Sequence, residues 1–115
     1  MTSVKICAID DIAPNSGRAA LVEGKQIAVF RLVTAAGEEF FAIDNFCPFA
    51  GANVISRGIV GSLKGKKVVA SPIYKQHFDL ESGQCLEDET VSLRTWKLSL
   101  QGDRVYLDSQ QMAAA

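Results

Sequence analysis

Three observations predict an all-β fold, an antiparallel sandwich or barrel. Most segments alternate apolar with polar residues or are β-branched, turn residues recur about every eight to twelve positions, and no segment carries a long helical period. Val4 to Ile9 alternates and is predicted to be the first strand, followed by a loop over Asp10 to Gly17 marked by Pro14, Asn15 and Gly17. Arg18 to Val22 and Gln26 to Val33 read as a hairpin across Glu23-Gly24-Lys25. A second turn at Ala36-Gly37-Glu38 leads into Phe40-Phe41-Ala42-Ile43. Gly51 to Gly58 lacks a strand period, and Ala52 to Arg57 suits a single helical turn. Ile59-Val60 and Val68-Val69-Ala70 flank Lys64-Gly65-Lys66 as another hairpin. Leu93 to Leu100 alternates throughout and is predicted to be one strand, joined by the turn Gln101-Gly102-Asp103 to a last strand holding Val105 and Leu107.

At 115 residues the chain is expected to form one domain over residues 1–108 with a disordered tail at 109–115. A domain of this size buries roughly two thirds of its unfolded surface around one core without a staple. Its formal net charge of −1 provides no steering field for nucleic acid or an anionic membrane. Arg31 interrupts the best apolar run, so nothing approaches the roughly 18 residues of a membrane span. The start, Met1-Thr2-Ser3-Val4-Lys5-Ile6, lacks the apolar stretch of a signal peptide. Cys7, Cys47 and Cys85 are odd in number and far apart, which suits free thiols in a reducing cytoplasm rather than a disulfide framework.

Two short boxes, Asn45-Phe46-Cys47-Pro48-Phe49 and Ser71-Pro72-Ile73-Tyr74, follow predicted strands and so sit at loop tips. The second continues as Lys75-Gln76-His77-Phe78-Asp79-Leu80 and then Ser82-Gly83. Together they resemble the two ligand boxes of Rieske proteins, in which two Cys hold one iron and two His the other iron of a two-iron, two-sulfur cluster. The resemblance implies a Rieske-like β-sandwich or barrel with the two hairpin loop boxes at one end. It also assigns four ligand positions, and this chain fills them with Cys47, Phe49, Ser71 and Tyr74. A serine hydroxyl stays protonated at neutral pH, phenylalanine has no donor atom, and tyrosine is a weakly acidic phenol. His77 is the single histidine, so two imidazole ligands cannot come from one chain. The expectation is a Rieske frame without its cluster. That wording is similar to the small subunits of bacterial NAD(P)H-dependent nitrite reductases, along nearly the whole chain from Val4 to Asp108. The resemblance implies a large catalytic subunit as partner, which would carry FAD, siroheme and an iron-sulfur cluster and reduce nitrite to ammonium in nitrate assimilation. No cofactor is expected on this chain.

Each notable residue also has a plain structural role to weigh. Cys47 is a relic ligand, a reactive thiol or a buried packing residue. A metal site drawn from Cys7, Cys47, Cys85 and His77 would need four separate strands and lacks knuckle spacing. His77 is the one general-base candidate, with no nucleophile pattern beside it, so the chain is not expected to catalyse alone. Glu38, Glu39, Glu87, Asp88 and Glu89 are expected as solvated turn charges, and Lys64, Lys66 and Lys67 as a solvated hairpin tip. Phe49 and Tyr74 either turn inward to plug the vacated cluster space or, with Ile73, present an apolar docking surface to a partner. A non-redox accessory subunit, a Rieske-type ferredoxin that carries electrons and a free-standing β-sandwich binding module are the three functions in play.

Overall fold

The structure, a computed structural model, describes residues 3–73 and 75–108. Tyr74 and the expected tail at 109–115 lie outside the described residues. Strand β1 (Ser3–Ala8) runs into a short 3-10 turn at Ile9–Asp11, whose Asp11 carboxylate accepts the Ala8 N–H at 2.9 Å. The predicted hairpin follows as β2 (Ser16–Val22) and β3 (Lys25–Thr34), then β4 (Gly37–Asp44). The β2–β3 turn places Glu23 and Gly24 at φ 50° and 81°, the left-handed pair that a two-residue hairpin requires.

Burial on β3 departs from simple alternation. Ile27, Ala28, Val29 and Phe30 are all buried in succession, which marks a strand covered on both faces. Ala28, Phe30 and Leu32 point into one apolar cluster, and Ile27 with Val29 into another. The single core expected from the sequence is therefore two cores, divided by the central sheet, whose order is β10-β4-β3-β2.

One face of that sheet is covered by the box-bearing half of the chain. This comprises β5 (Phe46–Cys47) paired with β6 (Ala52–Asn53), a 3-10 turn at Ile55–Arg57, and the sheet of β7 (Ile59–Leu63), β8 (Lys66–Ala70) and β9 (His77–Asp79). Cys47, Ile55, Val69, Phe78, Leu80, Cys85 and Leu93 fill the space beneath it. The helical turn expected near Ala52 to Arg57 is present in its second half. A left-handed turn at Gly83 (φ 77°) packs so closely that an added Cβ would sit 1.9 Å from the Leu93 carbonyl oxygen. Glycine is required there on both counts.

The other face is covered by the chain ends. The predicted strand from Leu93 to Leu100 breaks at Lys97 into β10 (Thr95–Trp96), which pairs with β4, and β11 (Leu98–Gln101), which pairs with β12 (Arg104–Asp108) in the order β1-β12-β11. Lys97 serves as the crossing point, its carbonyl accepting the Asp108 N–H at 3.0 Å. Trp96 anchors the junction. Its indole N–H donates to Asp44 Oδ1 at 3.0 Å, the Arg94 guanidinium lies 5.4 Å from its ring centroid, and its ring fills the second cluster beside Cys7, Val105 and Leu107. Ser3 pairs with Asp108, so the two ends of the described chain leave side by side.

Four of the eight charges expected to be solvated, Glu38, Glu39, Lys66 and Lys67, are also paired across strands. Arg31 binds Glu38 at 2.7 Å, Lys66 reaches Asp79 at 3.6 Å, and Lys67 bonds Glu39. Glu87 accepts the His77 N–H at the start of β9, and Asp88 accepts the Thr90 N–H within its own loop. The three ion pairs meet because sheet register brings them together, which local turn chemistry cannot reveal.

Candidate functional site

The two boxes meet, and they are built alike. In the first, the Gly51 N–H donates to the Cys47 carbonyl at 2.8 Å. In the second, the Lys75 N–H donates to the Ser71 carbonyl at 3.0 Å. Each loop closes four residues after its first ligand position on a left-handed residue, Gly51 at φ 66° and Lys75 at φ 64°. Lysine tolerates that conformation poorly, so the loop's other bonds must hold it. One is the Ser71 N–H to the Gln76 carbonyl at 2.9 Å.

Between the closed loops, Cys47 Sγ and Ser71 Oγ lie 3.5 Å apart, both side chains fully buried. Two sulfur ligands of one tetrahedral ion at about 2.3 Å each stand roughly 3.8 Å apart. The frame has thus kept a ligand-like spacing for the pair, with an alcohol in place of one thiol. Phe49 is half-buried, its ring 6.3 Å from that of Phe78 and tilted by 46°, against the core rather than free of it. Ile73 is 50% exposed. The relation of Phe49 to Tyr74 lies outside the described residues.

Two residues of the first box have roles that sequence reasoning missed. Asn45 is buried with every polar group engaged. Its N–H and Nδ2 donate to the Gln26 carbonyl and Oε1 at 3.2 and 3.0 Å, and its Oδ1 and carbonyl accept from Ser56 and Ile55 at 2.7 and 3.1 Å. It ties the box to the β2–β3 hairpin and to the 3-10 turn at once. Phe46 is 48% exposed beside buried Cys47. Strand alternation carried the signal, since an inward Cys47 obliges an outward Phe46. Phe46 and Ile73, with exposed Pro48 and Pro72, make the tip surface apolar.

His77 takes a structural post below the second box. Its backbone N–H donates to Glu87 Oε1 at 2.7 Å, its ring Nδ1 lies 2.6 Å from Glu87 Oε2, and the Leu86 N–H returns to its carbonyl. Partial burial works to raise the Glu87 carboxyl, but the His77 bonds outweigh it and hold Glu87 below the ordinary carboxylate range. A carboxylate lowered in the folded state adds stability that is present above its unfolded pKa, about 4.3, and lost as pH falls through the folded value. Unfolding free energy should therefore fall in acid below about pH 4.3, and less steeply for Glu87→Gln, by an amount under about 1 kcal/mol because the pair is exposed. Parallel profiles for the two proteins would refute the clamp. Burial pushes the thiols of Cys7 and Cys85 up, which keeps them protonated and inert. Among the described residues no three acidic, histidine or cysteine side chains converge to hold a metal ion.

Residues 2–108 match the Rieske-like [2Fe-2S] domain family. The chain belongs to that family. Within it, a curated relative from Salmonella typhimurium named nitrite reductase (NADH) small subunit is 46% identical over 89 residues, 77% of this chain and 81% of that protein. The solution structure of the Escherichia coli protein NirD is 39% identical and superposes with a TM-score of 0.82, covering 92% of this chain and 94% of that one. A nitrite reductase (NAD(P)H) large subunit from Klebsiella oxytoca is 35% identical over 109 residues. That match takes in 95% of this chain but 11% of the Klebsiella protein. The expected Rieske-like fold is thus borne out, with the boxes adjacent at one end.

Proposed function

We propose that this Rieske-like chain is a cluster-free accessory subunit of a cytoplasmic NAD(P)H nitrite reductase, docking by its box tips onto a large catalytic subunit. That partner would hold FAD, siroheme and an iron-sulfur cluster and reduce nitrite to ammonium for nitrate assimilation. The buried Ser71 hydroxyl carries the proposal. It lies against Cys47 where the fold family uses a second thiolate, and an alcohol does not ionise to bind iron at neutral pH. Phe49 adds to this, because a ring packed on Phe78 occupies an imidazole position without a donor atom. The residues present do not fit a Rieske cluster, so no electron step is assigned to this chain. The relatives named as nitrite reductase small subunits point to the partner.

The purified chain should be colourless, with no acid-labile sulfide and no paramagnetic signal on reduction. One to two equivalents of iron on the folded monomer would overturn the cluster-free reading and favour an electron carrier. Co-expression with a nitrite reductase large subunit should yield a complex through affinity and size-exclusion steps. A chain that never co-purifies would be a free-standing binding module instead.

A further inference from the structure

Two observations together fix how the chain sits on its partner. In the Klebsiella protein a homologous segment is part of the large-subunit chain itself, so one copy of this domain is supplied per catalytic chain. In the present structure both ends of the domain leave together, Ser3 paired with Asp108 on the β1-β12-β11 sheet. That sheet packs on the opposite face of the central sheet from the boxes, as the division of β3 side chains between the two clusters requires.

We infer that each large catalytic chain takes one copy of this domain at a single site, boxes toward the partner and the β1-β12-β11 sheet turned away. The inference rests on the accessory-subunit reading above and goes beyond it to orientation and stoichiometry. A covalent connection to the rest of the Klebsiella chain must start at the Ser3 or Asp108 end. If the β1-β12-β11 sheet were the docked face, that connection would begin inside the interface, where irregular backbone would lose its water partners. A partner contact of ordinary size covers about 800 Å² on each side. Against the 6355 Å² surface of this domain that is roughly an eighth, too little to wrap from the tips around the central sheet to the terminal one. Docking by the tips therefore leaves the chain ends open. The same pose serves a linked domain, held at a millimolar effective concentration, and a separate one that must bind by affinity alone.

The test uses the full chain and the large subunit. A folded protein of about 25 kDa joined to the C-terminus should leave the affinity for the large subunit unchanged within about threefold, and native mass spectrometry should show equal numbers of the two chains. A version of this chain covalently joined to the large subunit should exclude free, tagged chain from the complex. A tenfold or greater loss on C-terminal fusion, with circular dichroism intact, would place the terminal sheet in the interface and overturn the orientation. Free chain joining the linked complex, or unequal subunit numbers, would overturn the single site. Failure of every form, unfused included, to bind the large subunit would instead overturn the accessory-subunit reading beneath it.

Discussion

Replacing Phe46 and Ile73 together by aspartate should abolish co-purification with the large subunit while leaving the domain folded. Both side chains are about half exposed at the box tips, so changing them removes little from either core. An apolar side chain buried at the centre of an interface costs about 2 kcal/mol on truncation, roughly thirtyfold in affinity, and two independent losses multiply to about a thousandfold. Aspartate adds a desolvation penalty to that loss. Leu100→Asp is the matched control. Leu100 is 47% exposed, on β11 of the terminal sheet, so its substitution places the same charge at a position of like exposure but at the far face. Unaltered binding by the double variant, or equal weakening by Leu100→Asp, would place the contact elsewhere.

Strand positions were readable where local chemistry decides them. The Glu23-Gly24 turn, the Lys64-Gly65 turn and the alternation around Val105 and Leu107 each announce their geometry through residues that few other conformations favour. The break at Lys97 is different, because alternation continues through it from Arg94 to Leu100. Only the pairing partners, β4 before the break and β12 after it, show that the strand changes sheets. Box membership was legible in Cys47, Ser71 and the two prolines, yet the left-handed Lys75 was not, since lysine disfavours that conformation and the loop imposes it. The ion pairs of Lys67 with Glu39 and Arg31 with Glu38 were hidden for the same kind of reason. They depend on register and on which edge of the hairpin folds over which sheet.

Phe78→Ala should be the most destabilising change next to the site, and it tests what Phe49 is for. Phe78 is fully buried at the middle of β9, opposite Val69, with the Phe49 ring leaning on it from the first box. Removing a buried phenylalanine costs about 3–5 kcal/mol, out of a total stability of roughly 5–15 kcal/mol for such a domain. At about 4–6 °C per kcal/mol, the melting temperature should drop by roughly 12–30 °C. Phe49→Ala should cost less, because its ring is half-exposed and partial collapse of the loop can fill the space. If Phe49 acts as a plug, the double variant will be less destabilised than the sum of the singles by about 0.5–1.5 kcal/mol, the coupling expected of a ring pair. Phe49→Ala would then bind the large subunit as the parent does once both are measured well below their melting temperatures. Additive stabilities with a tenfold or greater loss of binding would give the opposite assignment. Phe49 would then share the docking surface with Phe46 and Ile73, and the core beneath the box would be closed by Cys47 and Ser71 alone.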